Sequence, residues 1–230
     1  MTFSFVKSSF LILIIANFAS VAQYASQLIL GRYLKVVDYG IFNAVNSLSL
    51  VVVPFVAVMP FIVSKYLIRY QDNIDLRNIL LQKIKFVVLF SNLFLFVSLY
   101  LLANHIRLFF KIDSLTPIYI FIVLISLNVT YTLYDSVLQG LRMYVTRAMQ
   151  STVLVLLRLL LILVLVVYLS YSYNAALFSQ VFATIIVLAF IYFFTRKTTR
   201  LINKKNIHIP RGIYKEMFHY SIPVAITYGI

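Results

Sequence analysis

The sequence predicts an all-α polytopic membrane protein, with six transmembrane helices forming one lobe and the start of a seventh. Three observations predict it. The 230 residues are 63% hydrophobic and only 11% charged, with a mean hydropathy of +0.98. A soluble domain is about one quarter charged, so the polar residues here are too few to coat a surface in water. Apolar stretches near the roughly 20 residues needed to cross hydrocarbon recur six times, at about 9–30, 40–63, 86–104, 117–140, 149–170 and 176–195. The basic residues are distributed unequally between alternate connections, as the loops on the two sides of a membrane are.

The first span follows Lys7. Ser20-Val21-Ala22 looks like a signal-peptide cleavage site, but the apolar run continues to Leu30, which favours a retained helix. Asn17, Ser20, Gln23 and Gln27 recur every three or four residues along it and form one polar stripe. A ten-residue break, GRYLKVVDYG, then runs between Gly31 and Gly40 and reads as a short turn outside the bilayer. Asp38 near its end suits a helix cap, accepting from free backbone N–H groups.

The second span begins with Asn43, Asn46 and Ser47, a stripe to match the first, and contains Pro54 and Pro60. Amides in lipid serve either as interhelical hydrogen-bonding glue or as the lining of a water-filled cavity. Prolines there free backbone carbonyls that neighbouring helices must satisfy, so this span is expected to face a bundle interior. The third span carries Asn92, the fourth Asn128, Asp135 and Gln139, and the sixth Gln180. The isolated amides among these read as glue.

The fifth span holds Arg158 within LVLLRLLLILVLVV. A mid-helix arginine costs about 2.5–3.5 kcal/mol on insertion scales, so something must compensate it. One reading is an ion pair with Asp135 across the hairpin, Arg158 partly snorkelling. The other is a cationic point in a cavity that meets the phosphates of a substrate, for which the guanidinium fork is suited.

Loop charge gives orientation. Lys7, Lys65, Arg69, Arg77, Lys83, Lys85, Arg142 and Arg147, with the seven bases between Arg196 and Lys215, lie on one side; only Arg32, Lys35, Arg107 and Lys111 lie on the other. The imbalance places the N-terminus and the even-numbered loops in the cytoplasm. A net charge of +14 would suggest nucleic acid in a soluble protein. Here positive-inside loops explain it, no nucleic-acid partner is expected, and the basic loops would lie against anionic membrane lipids.

Signals for enzymatic chemistry are absent. There is no cysteine, no H-E-x-x-H, no G-x-S-x-G and no glycine-rich phosphate loop. Asp72 and Asp75 are better read as solvated loop residues than as a metal pair. We expect neither catalytic residues, nor a bound metal, nor a cofactor. The organisation expected is a six-helix lobe over 1–200, a basic cytoplasmic inter-lobe loop over 201–217, and a truncated start of a second lobe over 218–230. The thirteen residues from Phe218 to Ile230 would reach only about 20 Å as a helix. That predicts a fragment, or one half of a larger transporter.

Two stretches also carry a resemblance. Leu30-Gly31-Arg32-Tyr33-Leu34 followed by Asp38-Tyr39-Gly40 and Phe42-Asn43-Ala44, and the later VLQGLRMYVTR from Val137 to Arg147, resemble the polysaccharide-biosynthesis flippases. These are Wzx-type transporters of the multidrug/oligosaccharidyl-lipid/polysaccharide exporter superfamily. The resemblance runs from about Phe10 to the end, where FHYSIPV looks like the start of the second of that family's two six-helix lobes. It implies flipping of lipid-linked oligosaccharide across the bacterial cytoplasmic (inner) membrane by alternating access, for surface polysaccharide, lipopolysaccharide and O-antigen synthesis. Glycan polymerase and assembly proteins would then be partners. It also associates an acid at the position of Asp38 with function. Under it, Arg158, Asn17, Gln23, Gln27, Asn43 and Asn46 would hold the substrate, with Asp135 and Asp38 serving in coupling or as structural ion-pair partners. The alternatives are a small-molecule or multidrug exporter of the same superfamily, which would want an acid deep in its cavity, and a non-transporting membrane scaffold of glycan assembly.

Overall fold

The computed structural model describes residues 2–169, 172–199 and, beyond them, 216, 217, 219, 222–224, 226 and 227; the side chains at 2–9, 53–55, 194 and 196–199 are not considered. The basic stretch from Arg200 to Lys215 and most of the expected seventh helix lie outside the described residues.

The described chain is helical almost throughout: α1 (Thr2–Tyr33), α2 (Val36–Ser47), α3 (Ser49–Arg69), α4 (Ile74–Phe109), α5 (Thr116–Gly140), α6 (Tyr144–Ile162) and α7 (Tyr173–Thr199), with α6 continued by a π-helical stretch, Leu163–Tyr168. In hydrocarbon every backbone N–H and C=O must be paired within its own segment, which makes helix the only open-ended solution. Five helices are long and apolar enough to cross a membrane alone, and α2 with α3 passes the same test as a bent pair, a sixth span when the pair is counted as one. Its halves, Val36–Val52 and Val56–Arg69, meet at 44° beside Pro54, where a missing N–H weakens the ladder. The all-α membrane lobe expected from the sequence is present, with five spans or, counting the bent pair as one, six.

Three local expectations are corrected. The ten-residue break is only Leu34 and Lys35 wide, because α1 runs through Gly31 and α2 starts at Val36. Neither glycine adopts positive φ, so neither makes a turn. Helix α4, which carries the third expected span, is longer than that apolar run: 36 residues, or roughly 54 Å at the helical rise. Its polar leading turns are capped by Asn73, whose side chain accepts from the Leu76 N–H at 3.0 Å. They bury Leu80, Leu81 and Ile84 against Val63, Tyr66 and Leu67 of α3.

The core is centred on α5, which packs against α2, α3, α4, α6 and α7. Ile118, Phe121, Ile122, Leu124 and Ile125 join Leu30, Phe42 and Val45 in the main cluster. Asn92 ties α4 to α5, donating to the Ser126 carbonyl at 2.9 Å, the glue role expected of it. Gly140 marks the closest crossing: a Cβ there would meet Leu67 Cδ1 at 2.6 Å and the Ser64 Cα at 3.1 Å. In contrast α4 turns Phe86, Phe90, Leu93, Phe94, Val97 and Leu101 outward, an apolar surface suited to lipid.

Candidate functional site

Two sets of polar groups gather at different heights along α6. The first is at its start. A turn of three residues after Gly140 brings α6 back against α5, so Arg147 in its first turn stands level with Asp135, which lies five residues before the end of α5. Arg147 Nε donates to both carboxylate oxygens at 2.9 Å, and its Nη2 lies 2.8 Å from Oδ2. Gln150, one turn on, donates to Oδ1 at 3.2 Å. Asp135 is thus buried with its charge matched and both oxygens occupied.

This overturns the expected Asp135–Arg158 pair. With α6 beginning at Tyr144 rather than near 149, Arg158 is three turns beyond Arg147, roughly 16 Å further along the axis. Arg158 makes no ion pair among the described residues, and its Nε is buried without a hydrogen-bond acceptor.

Arg158 instead belongs to the second set. It lines a small cavity of about 20 Å³ with Gln23, Ser26 and Gln27 of α1, Phe42 of α2 and Gln180 of α7. Heptad-like spacing puts Gln23 and Gln27 on one face of α1, and α6 meets that face because α1 packs along α6. Gln180 is 6% exposed. The Ser26 hydroxyl is already spent, donating to the Ala22 carbonyl at 2.9 Å. Gln27 Oε1 accepts from the Tyr39 hydroxyl at 3.4 Å, a link from α1 to α2. The lining is therefore rich in donors, carries a fixed positive charge and contains no acid.

The other predicted residues lie apart from this cavity. Asn17 donates to the Leu13 carbonyl at 2.8 Å, Asn43 to Tyr39 at 3.0 Å and Asn46 to Phe42 at 2.9 Å, each four residues back in its own helix. They are not interhelical glue. Asn17 and Asn43 are exposed, as are much of Gln23 and Gln27, so α1 and α2 present polar groups on the outside of the described bundle. Asp38 is not the cap either: Lys35 holds that position, without a side-chain bond, and Asp38 sits in the first turn, where a carboxylate meets the positive end of the helix dipole. Ser26 and Gln180 were not singled out as lining residues. Ser26 lies one residue from the Gln23–Gln27 row, and Gln180 is a lone amide in an apolar span, for which sequence alone suggests packing. Among the described residues no three histidine, aspartate or glutamate side chains come together.

No protein-family model and no curated protein matches the chain. Solved structures do. A MOP superfamily transporter from Pyrococcus furiosus, described as having a binding pocket of reversed polarity, superposes with a TM-score of 0.79 at 10% identity, over 97% of this chain and 52% of its own. An outward-facing multidrug resistance MATE family transporter of the same superfamily gives 0.78 at 12% identity, over 97% and 52%. A MATE structure in the straight conformation gives 0.76 at 12%, over 96% and 52%. The likeness is one of fold, over about half of each of these transporters. The chain spans about half the length of these structures. The Arg158 cavity lies among α1, α2, α6 and α7, and the exposed amides sit on the first two of these helices.

Proposed function

We propose that the chain forms one lobe of a flippase of the MOP superfamily, which moves a lipid-linked oligosaccharide across the cytoplasmic membrane. The observation that carries this reading is the sign of the polar site. Within α1–α7 the acid away from a helix's first turn is Asp135, and Arg147 neutralises it. Arg158, deep in α6, makes no ion pair among the described residues and is surrounded by amides, whereas Arg77 and Arg107, whose Nε atoms are also buried without a partner, lie near the ends of α4. A cationic, amide-lined site favours a phosphate-bearing headgroup and disfavours the organic cations of a drug exporter. The exposed Asn17, Gln23, Gln27 and Asn43 would face the cavity shared with a second lobe, whose rocking gives alternating access. The excess of basic residues in alternate loops supports an N-terminus in the cytoplasm, with those loops on anionic lipid. Glycan polymerase and assembly proteins are the partners such a role implies.

The test is complementation. The complete native protein, expressed in a bacterium lacking its oligosaccharide flippase, should restore surface glycan, and Arg158→Gln should abolish that rescue while leaving the membrane level of the protein unchanged. Resistance to cationic drugs without glycan rescue would instead establish the exporter. Recruitment of glycan-assembly enzymes with no transport defect on deletion would establish the scaffold.

A further inference from the structure

We infer that the cavity beside Arg158 is a binding site for a single small inorganic anion of the size of chloride. The donor count is the first argument. Arg158 Nε is buried without an acceptor, and neither its guanidinium nor the side-chain amide of Gln180 bonds a described residue. Gln27 accepts from Tyr39 through Oε1, which leaves its NH₂ to donate. Ser26 has given its proton to Ala22. The guanidinium and the three amide NH₂ groups thus bring more N–H donors to one small volume than the three amide oxygens and Ser26 Oγ bring acceptors.

Charge decides between an anion and a water. An arginine stays protonated at every accessible pH, so Arg158 cannot shed its charge as a buried lysine or histidine would. A water would satisfy the donors but leave the charge unmatched at the half-buried Arg158, where Coulomb energies exceed those in bulk water. Asp135, the acid within the apolar part of a span, is committed to Arg147 and Gln150. Size then selects the anion. The innermost space beside Arg158, about 20 Å³, takes one group near the size of a water and opens outward past Gln23 and Gln27. A monatomic halide fills that inner space whole, whereas a tetrahedral phosphate or sulfate could place only one oxygen there. The inference deepens the proposed function, and rests on it in one respect only: in a flippase the halide would hold Arg158 between cycles and yield to an oxygen of the substrate's phosphate.

The experiment uses the complete purified protein in detergent, in sodium gluconate, with thermal unfolding followed as chloride, bromide or sulfate is added. Chloride and bromide should raise Tm saturably and sulfate should not. Arg158→Gln should weaken the apparent halide affinity by at least about tenfold, equivalent to about 1.4 kcal/mol, and Gln180→Leu should weaken it less. Crystals grown in bromide should show an anomalous peak within hydrogen-bond distance of Arg158. A halide response unchanged in Arg158→Gln, or a bromide-free site with water on Arg158, overturns the inference. Should Arg158→Gln not accumulate, Gln180→Leu and the bromide peak decide alone. Halide binding without glycan rescue would sink the flippase and leave the site; rescue without halide binding would do the reverse.

Discussion

Helix α6 carries two arginines in opposite circumstances. Arg147, at its start, is clamped by Asp135 and Gln150. Arg158, three turns later, faces amides and has a buried Nε without an acceptor. Removing either partner of a buried pair leaves a charge stranded, which is why such pairs resist substitution even when the pair itself adds little net stability. An arginine without a partner has the opposite signature, because the fold already bears its cost. The difference separates a group that holds the hairpin together from one that the fold tolerates for some other reason. In a membrane that other reason is most often a ligand.

The largest expected effect on stability comes from breaking the clamp. Asp135→Ala should destabilise the protein by about 3 kcal/mol, the lower end of the range for a broken buried pair, since the Arg147 side chain is 37% exposed and can recruit water. Thermal unfolding in detergent reads this directly; a change in Tm no larger than that of a surface substitution would remove the clamp from the account. Asp135→Asn should recover part of the loss by keeping the bond to Arg147. Next comes the helix crossing just beyond the clamp. Gly140→Ala puts a Cβ against Leu67 and the Ser64 backbone, an overpacking worth about 1–3 kcal/mol. Leu67→Ala on the same background should return some of it. An additive double mutant would mean that the two residues do not touch.

The same contrast explains what was legible in the sequence. Helix number and order were readable because hydrocarbon imposes a length and forbids unpaired backbone. That Gln23, Gln27 and Arg158 share a site was only half readable. Periodicity aligned the two glutamines along α1, and Arg158 announced itself as a charge in an apolar run. Which neighbour each would meet depended on where α6 begins. Reading Arg147 as a loop residue moved the start of α6 by about five positions, more than one turn, and with it the partner of Asp135. The start signal is weak: Met143 caps α6 without a side-chain bond, and no acid lies in its first turn. Gly31 and Gly40 misled for a related reason. Glycine permits a turn, but in lipid a helix continues through it wherever the backbone has no other partner.

A smaller effect is expected at Asn92, which bridges α4 and α5 through one good hydrogen bond while its Oδ1 is buried without a donor. Asn92→Leu loses a cross-helix bond worth about 0.6 kcal/mol in membranes and relieves an unsatisfied oxygen. The net change in Tm should be close to zero. A drop comparable to that of Asp135→Ala would show that Asn92 has a further partner.

The smallest loss, and the most informative one, belongs to Arg158. Arg158→Gln keeps a donor amide in the cavity, removes the unmatched charge and gives up no ion pair. In halide-free buffer its Tm should equal or exceed that of the native protein, because a central arginine carries an insertion cost of about 2.5–3.5 kcal/mol that glutamine largely avoids. Adding chloride should then stabilise the native protein and leave the variant behind, so that the order of the two reverses with salt. Arg147→Gln should lie below the native protein in every buffer, since its loss strands Asp135. If both variants fall equally and neither responds to halide, the two arginines are doing the same structural task, and the distinction between clamp and site on α6 fails with them.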